Sequence, residues 1–312
     1  MASLKDIARE CGCDISTVSR ALQDSPRVKP TTKEKVKKAA DKLGYKPNII
    51  AQALARGKTN VIAYLVPSLV SETENLPALH MSQYLLEKNY DLIICQYHEN
   101  HDLIKRQLNR IETGGADAVI ISAAEYSFET FGSLLKSFKI PFLFLDRHCP
   151  GTKALTVTSE NYKTSRELTK KLVDSKVDGI LHFFTRDNTV SKERKKGLLE
   201  AAGNLPVIDF EENLVEFIQK NKIQRLGVCA SVQESVYKYL DKTSINLDDI
   251  ELFASAYDHW NGETAPFQKV YFAEQNWPEI AKKATDSILG LVDKNKPKEK
   301  LAQIPFLPIK EK

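Results

Sequence analysis

The sequence predicts an α/β protein built of two unlike parts. Residues 1–58 read as an all-α helix-turn-helix unit ending in a short apolar helix at about 48–55, and residues 59–312 as a two-lobed, Rossmann-like core. Three observations predict this. Short helical patterns broken by a glycine fill the first 57 residues, while apolar strands alternate with helices in two successive series beyond residue 60. Charge is also divided unevenly. Residues 1–58 hold thirteen Lys/Arg against six Asp/Glu, so a +7 headpiece precedes a −3 body in a chain of net charge +4. At 312 residues the chain is too long for one ordinary domain.

Ser3 is a good N-cap for a first helix, and Leu4, Ile7, Ala8 and Cys11 follow at helical spacing until Gly12 breaks the pattern. Asp14 is placed to cap a second helix, Ile15 to Leu22. Its Val18, Ala21 and Leu22 face inward, and Ile15, Ser16, Ser19 and Arg20 form one outward stripe. Thr31-Thr32-Lys33-Glu34 has the form of a capping box opening a third helix, which carries the apolar stripe Val36, Ala39, Ala40 and Leu43 and stops at Gly44. Pro47 ends what precedes it, and Asn48 is placed to cap a last short piece reaching Ala55. That piece is too short to be stable alone and needs a partner to gain order. The first two helices likewise bury little by themselves. They read as a helix-turn-helix whose second helix offers small polar side chains and an arginine to a DNA major groove. The concentrated positive charge is the electrostatic footprint of nucleic-acid binding by one end.

Lys5-Asp6-Ile7-Ala8, Gly12, Thr17-Val18-Ser19-Arg20-Ala21-Leu22, Leu43-Gly44-Tyr45-Lys46-Pro47-Asn48 and Ala51-Gln52-Ala53-Leu54 resemble the headpiece of the LacI/GalR (lactose and purine repressor) family. The resemblance implies a recognition helix read at Ile15, Ser16 and Ser19, with Thr17 and Arg20 near phosphates or bases. Ser3, Lys5, Asn48 and Ala51 complete the implied DNA contacts, and the piece at about 48–55 becomes a hinge helix that orders in the minor groove with Leu54 as its apolar wedge.

In the core, the strands of the first series are Val61 to Val66, Asp91 to Cys95, Ala118 to Ile121 and Pro141 to Leu145. A second series runs through Gly179 to Phe184, Pro206 to Ile208, Leu226 to Cys229, Ile250 to Ala254 and Val270 to Phe272. Helical patterns separate them, among them Leu79 to Lys88, Leu103 to Ile111, Thr164 to Leu172 and Trp277 to Val292. Apolar strands without alternation, spaced by helices, mean parallel sheets covered on both faces, and two series mean two lobes. Ligands of such sheets bind beyond the carboxyl ends of the strands. The candidates there are Asp146 and Arg147, Asn188, Arg194, Asp258 and Trp260. Arg194 facing Asp258 would make a polar clamp suited to sugar hydroxyls or a small anion, with Trp260, Tyr257 or Phe184 as an apolar platform. The competing readings are a structural ion pair and a core tryptophan. The core also resembles that of the same family, which is similar to periplasmic sugar-binding proteins with a ligand between the lobes. This implies a sugar-like small-molecule effector and a homodimer.

The chain departs from the family at several points. Ser71-Glu72-Thr73-Glu74-Asn75 stands where an Asn-Pro-aromatic-aromatic stretch is usual, Val232 stands at an Asp position, Glu160-Asn161 replaces an Asp-Asn pair, and Gly197 to Leu226 is shortened. The five scattered cysteines fit a reduced, buried role. Cys95, His98 and His101, with Glu99 and Asp102 between them, have metal-ligand chemistry, but a strand end followed by a polar helix start explains them better, so no metal or other cofactor is expected. No phosphate-cradling glycine loop, His-Glu-x-x-His or Gly-x-Ser-x-Gly is present, which argues against an enzyme. Without a secretory leader or an apolar run of about 20 residues, the chain is expected in the cytoplasm on the nucleoid, with no membrane partner. The sequence thus points to a transcriptional regulator, expected to act as a repressor, that binds double-stranded, pseudo-palindromic operator DNA as a dimer under small-molecule control. The alternatives are the same regulator controlled by a protein co-regulator and, more remotely, a solute-binding protein.

Overall fold

The computed structural model describes residues 2–46, 51, 53, 57–184, 188–230, 233–243, 249–258, 260, 264–295 and 299–312. Two compact units divide the chain, Met1–Thr59 and Asn60–Lys312.

The first unit packs α1 (Leu4–Cys11), α2 (Ile15–Leu22) and α3 (Pro30–Lys42) around Ile7, Ala8, Cys11, Val18, Ala21, Val28, Val36, Ala39 and Ala40. Ser3 caps α1 in a reciprocal box with Asp6, and Gly12 ends it in the left-handed conformation that a residue without Cβ adopts freely. Asp14 sits at the N-cap of α2 but makes no side-chain cap bond. The capping box expected at Thr31 does not form. The third helix starts at Lys29 with Pro30 in its first turn, where the missing N–H costs nothing.

The second unit holds two six-stranded sheets. The first is ordered β11-β5-β4-β3-β1-β2, from β1 (Val61–Val66), β2 (Asp91–Gln96), β3 (Ala118–Ile121), β4 (Phe142–Leu145), β5 (Thr156–Ser159) and β11 (Leu301–Ile304), all parallel. The second is ordered β12-β10-β9-β8-β6-β7, from β6 (Gly179–Phe183), β7 (Val207–Asp209), β8 (Arg225–Ala230), β9 (Glu251–Ala256), β10 (Phe267–Phe272) and an antiparallel edge, β12 (Lys310–Glu311). Helices α4 (Glu72–Glu87), α5 (His101–Arg110), α6 (Phe128–Leu134), α7 (Asn161–Asp174), α8 (Thr189–Ala202), α9 (Leu214–Asn221), α10 (Gln233–Lys242) and α11 (Trp277–Val292) connect them. Each lobe has its own apolar cores.

Three strands escaped the sequence pattern: β5, β11 and β12. The Thr-Val-Thr-Ser run of β5 is entirely buried although mostly polar, which hydrophobic periodicity cannot register. Helix α4 begins well before Leu79, at Glu72 behind the N-cap Ser71, and accommodates Pro77 in its interior. The chain also crosses between lobes three times. It leaves the first after β5, returns for α11 and β11, and leaves again for β12. The crossings are bonded to one another, Glu160 N donating to Ile304 O (2.9 Å), Leu307 N to Glu274 O (2.9 Å) and Ser159 Oγ to Gln275 Oε1 (2.8 Å). This bonded bundle of crossings is the hinge of the core.

Candidate nucleic-acid interface and ligand cleft

On the headpiece, α2 buries Val18 and Ala21 completely, so its opposite side must face outward. There Ile15 is 44% exposed, Ser16 and Arg20 are exposed, and Thr17 and Ser19 are half-buried. A shallow groove is lined by Lys5, Arg9, Ile15 and Thr17. Ser3 is exposed but engaged with Asp6, and Ala51 is exposed. Asn48 and Leu54 lie outside the described residues. Lys33 is committed inside the headpiece: its ammonium meets the Asp24 carboxylate at 3.0 Å and the Asp24 carbonyl at 2.9 Å, closing the turn between α2 and α3. Lys37 is exposed on the same helix.

In the core, the residues beyond the carboxyl ends of the strands come from both lobes. Asp146, just after β4, has φ of 68°, a left-handed conformation that aspartate tolerates better than most residues. Arg147 follows, buried and surrounded by carboxylates: Asp146 at 3.3 Å, Glu74 at 3.6 Å and Glu125 at 4.0 Å. Burial alone would favour its neutral form, and the three carboxylates outweigh that and hold it protonated. Glu74 is only 4% exposed, so burial raises its carboxyl above the usual range although Ser71, Arg147 and Ser122 favour the charged form. The hydroxyl of fully buried Tyr64 lies beside this group near the Ser122 side chain, without a well-formed hydrogen bond among the described residues.

From the second lobe, Asn188 is the N-cap of α8, accepting from Ser191 N at 2.8 Å. Six residues on, Arg194 donates its Nε–H to Asn161 Oδ1 at 2.9 Å and lays its guanidinium 4.1 Å over the Tyr257 ring. Tyr257 donates to Ser165 Oγ (2.7 Å), which in turn donates to the Arg194 carbonyl. Gly197 makes this possible, because a Cβ there would lie 2.2 Å from Tyr162 O and so keep α8 off α7. The Arg-x-x-Gly spacing therefore aims the arginine and admits the helix that carries it. The terminal guanidinium nitrogens of Arg194 have no protein partner among the described residues.

Asp258 feels Arg194 but forms no direct ion pair with it among the described residues, so the closed clamp is not present. Burial pushes its carboxyl up to about 6, Arg194 pulling it down and Glu72 and Asp146 adding to the rise. Trp260 is a correction. It is 2% exposed and packs edge-on against Phe267 and Tyr237, because the second-lobe core needs its bulk. A cavity of about 370 Å³ adjoins Asp146, lined by Thr152, Thr156 and Thr158 from the first lobe and Thr189, Val190 and Glu193 from the second. The sequence reading did not single out Tyr64, Asn161 or Ser165 as site residues, nor Glu74. Only the departure at 71–75 and the Glu160-Asn161 pair hinted at them. Cys95 faces the first-lobe core and His101 bonds Thr130, and among the described residues no group of three His, Cys, Asp or Glu is arranged for a metal.

Comparison with known proteins agrees with both halves of this description. Residues 3–48 match the family of bacterial regulatory proteins, lacI family, and residues 78–215 match the periplasmic binding proteins and sugar binding domain of the LacI family. The chain is 27% identical over 245 residues to the HTH-type transcriptional regulator RegA of Clostridium saccharobutylicum, spanning 73% of this chain and 74% of that one. It is 26% identical over 213 residues to catabolite control protein A of Priestia megaterium, spanning 66% of this chain and 63% of that protein. The crystal structure of the lac repressor dimer bound to operator and the anti-inducer ONPF is similar in fold, with a TM-score of 0.77 at 16% identity over 99% of this chain and 98% of that one.

Proposed function

Because this chain belongs to the lacI family of bacterial regulatory proteins, and is thus a DNA-binding transcriptional regulator, we propose that it represses transcription by binding a pseudo-palindromic operator as a homodimer. A small polyol in the inter-lobe cleft controls it. The observation that carries the DNA reading is the outward stripe of Ile15, Ser16, Ser19 and Arg20 on a helix whose other side is sealed by Val18 and Ala21. Such a stripe has the width of a recognition helix seated in the major groove. One headpiece reads too few base pairs to mark a genomic site, so two are needed. Support for the pair comes from apolar side chains left open on α4 and the edge strand β2: Leu79, Leu86 and Ile94, with Val70 just before the helix.

Support for the small molecule comes from Arg194, whose guanidinium is fixed by Asn161 and Tyr257 while its terminal donors meet no protein partner among the described residues, and from the cavity of about 370 Å³ that both lobes line beside Asp146. A ligand bridging the lobes shifts DNA affinity only through its differential affinity for open and closed cores. The test is selection of binding sites from genomic fragments followed by footprinting. A two-fold symmetric footprint with half-sites about one helical turn apart is expected. An asymmetric footprint from a single headpiece would overturn the dimer.

A further inference from the structure

We propose that Cys11 and Cys13 form a reversible dithiol–disulfide pair at the turn of the helix-turn-helix, which a hydroperoxide oxidises and whose oxidation releases DNA. The proposal rests on the reading of α2 as the DNA reader and adds a modification site beside it. Its starting point is exposure. Cys11, Cys95, Cys149 and Cys229 are buried, whereas Cys13 is half-buried and lines the groove that Lys5, Arg9, Ile15 and Thr17 also border. A thiol placed there is in reach of a small oxidant, and any change to it occurs beside Ile15 of the outward stripe.

The second observation is the partner. Gly12 alone separates Cys11, the last residue of α1, from Cys13, and two peptide units hold their Cα atoms about 5–7 Å apart, the span of a disulfide. Gly12 turns the chain tightly, with φ of 60° and ψ of 37°. The thiols crowd the same bend: Cys13 Sγ donates to Cys11 O at 3.5 Å and Cys11 Sγ to Ala8 O at 3.9 Å. Burial raises the Cys11 thiol, and the adjacent Cys13 side chain adds to the rise. No other cysteine belongs to this unit.

The chemistry closes within the turn. The Cys13 sulfur attacks a peroxide oxygen, the O–O bond breaks, and a sulfenic acid forms while the other oxygen of hydrogen peroxide leaves as water. The Cys11 sulfur then attacks the Cys13 sulfur, the S–S bond forms, and the sulfenic hydroxyl leaves with the Cys11 proton as a second water. A dithiol reductant reverses the step. Oxidation removes both hydrogens now donated to backbone carbonyls and draws Cys11 from the core around Ile7, Val18 and Val36. Asp14 makes no side-chain cap bond at the start of α2, so that side chain does not pin the reading helix against the shift. A bond closing so short a loop adds little stability and is readily reduced, which suits a switch better than a staple.

The full-length protein is reduced, treated with hydrogen peroxide, alkylated under denaturing conditions, digested with trypsin and weighed. Both cysteines fall in one peptide, residues 10–20, between the cuts after Arg9 and Arg20. That peptide should lose two hydrogens and take no alkyl group, while Cys95, Cys149 and Cys229 remain alkylatable. Genomic fragments selected with the reduced protein should bind the oxidised protein at least about tenfold more weakly, and dithiothreitol should restore both the mass and the binding. Cys11→Ala should form no bond and leave a Cys13 sulfenic acid that dimedone traps. Cys13→Ser should bind the fragments equally before and after peroxide. A peptide that keeps both thiols, or a Cys13 that runs on to sulfinic acid in the parent, overturns the pair. A bond that forms without weakening DNA binding overturns the switch. A reduced protein that selects no fragment overturns the reading of α2 instead, and the mass still decides whether the thiols pair.

Discussion

Asn161 holds Arg194: its side-chain oxygen accepts the arginine Nε–H at 2.9 Å while its amide nitrogen donates to Ser159 O at 3.1 Å and Thr158 Oγ1 at 3.4 Å. A single amide thus ties the second-lobe arginine to the crossing that leaves the first lobe. Because Ser159 is itself bonded to Gln275 on the next crossing, a change in lobe angle reaches the arginine through hydrogen bonds as well as through helix packing. The guanidinium is placed by the hinge, not by α8 alone.

The tight approach of α7 and α8 makes Gly197→Ala a sharp test. The added methyl would sit 2.2 Å from Tyr162 O and 3.0 Å from Arg166 N, both backbone atoms that cannot swing away. Stability should fall by about 2–3 kcal/mol, at the upper end of overpacking costs. Urea unfolding of the full chain measures it, and an unchanged midpoint would show that the helices are not pressed together at this glycine.

Much of the architecture could be read from residue patterns, and the reasons for the failures are specific. The helices around Ile7, Val18 and Val36 and the apolar strands such as Val61–Val66 announce themselves by period and composition. β5 does not, because Thr156 and Thr158 are buried through their place between β4 and β11, a tertiary fact. The same holds in the site. Arg194 and Asp146 are nominated by their positions after strands, whereas the neighbours Asn161 and Tyr64 reach this region through tertiary placement that no local pattern encodes. Trp260 was misplaced for a related reason. Following a strand end marks a residue for the cleft, but the Phe267 and Tyr237 rings that enclose it come from distant segments.

Asp258 sets a pH signature. Its carboxyl is raised from 3.8 to about 6, so between those values the folded protein binds a proton that the unfolded chain has lost. Stability from this group is therefore complete below about pH 4 and falls as pH rises through about 6, a loss of up to about 3 kcal/mol. Asp258→Asn removes the dependence. The variant should gain on the parent between pH 5 and pH 7.5 in denaturant midpoint, and a pH-independent difference would mean that the carboxyl titrates normally.

Contacts that specify and contacts that hold should separate on the headpiece. Ser16→Ala, on the exposed stripe of α2, should alter base preference at one or two positions by about 1 kcal/mol. Lys37→Ala should weaken all sequences alike and reduce the salt slope by at most about one unit. Lys33→Ala should instead lower headpiece stability, since its ammonium closes the turn at Asp24. Binding-site selection at two salt concentrations, with thermal melts, distinguishes the three. A flat base-preference scan for Ser16→Ala would remove α2 from the role of reader.

The pairing surface can be tested without knowing the operator. Leu79 and Leu86 lie seven residues apart on one side of α4, and Leu86 is 71% exposed, Leu79 53%. Ile94, on the edge strand β2, is two residues from Leu92, which packs on the core that α4 also covers, so both share one face of the sheet. Isolated surface leucines are ordinary, but a run of apolar side chains along a helix and the neighbouring sheet edge is the kind of patch that a second protein covers. β2 also exposes an unpaired strand edge, which a second copy would shield. Leu86→Glu should therefore leave each chain folded, as an exposed position allows, while placing two carboxylates at a symmetric contact. Sedimentation at micromolar concentration should show the parent as a dimer and the variant as a monomer, with operator affinity lowered at least about tenfold because one headpiece must hold alone. A parent that is already monomeric yet grips one half-site as tightly as the full operator would end the dimer reading. A variant that stays dimeric would move the interface off α4.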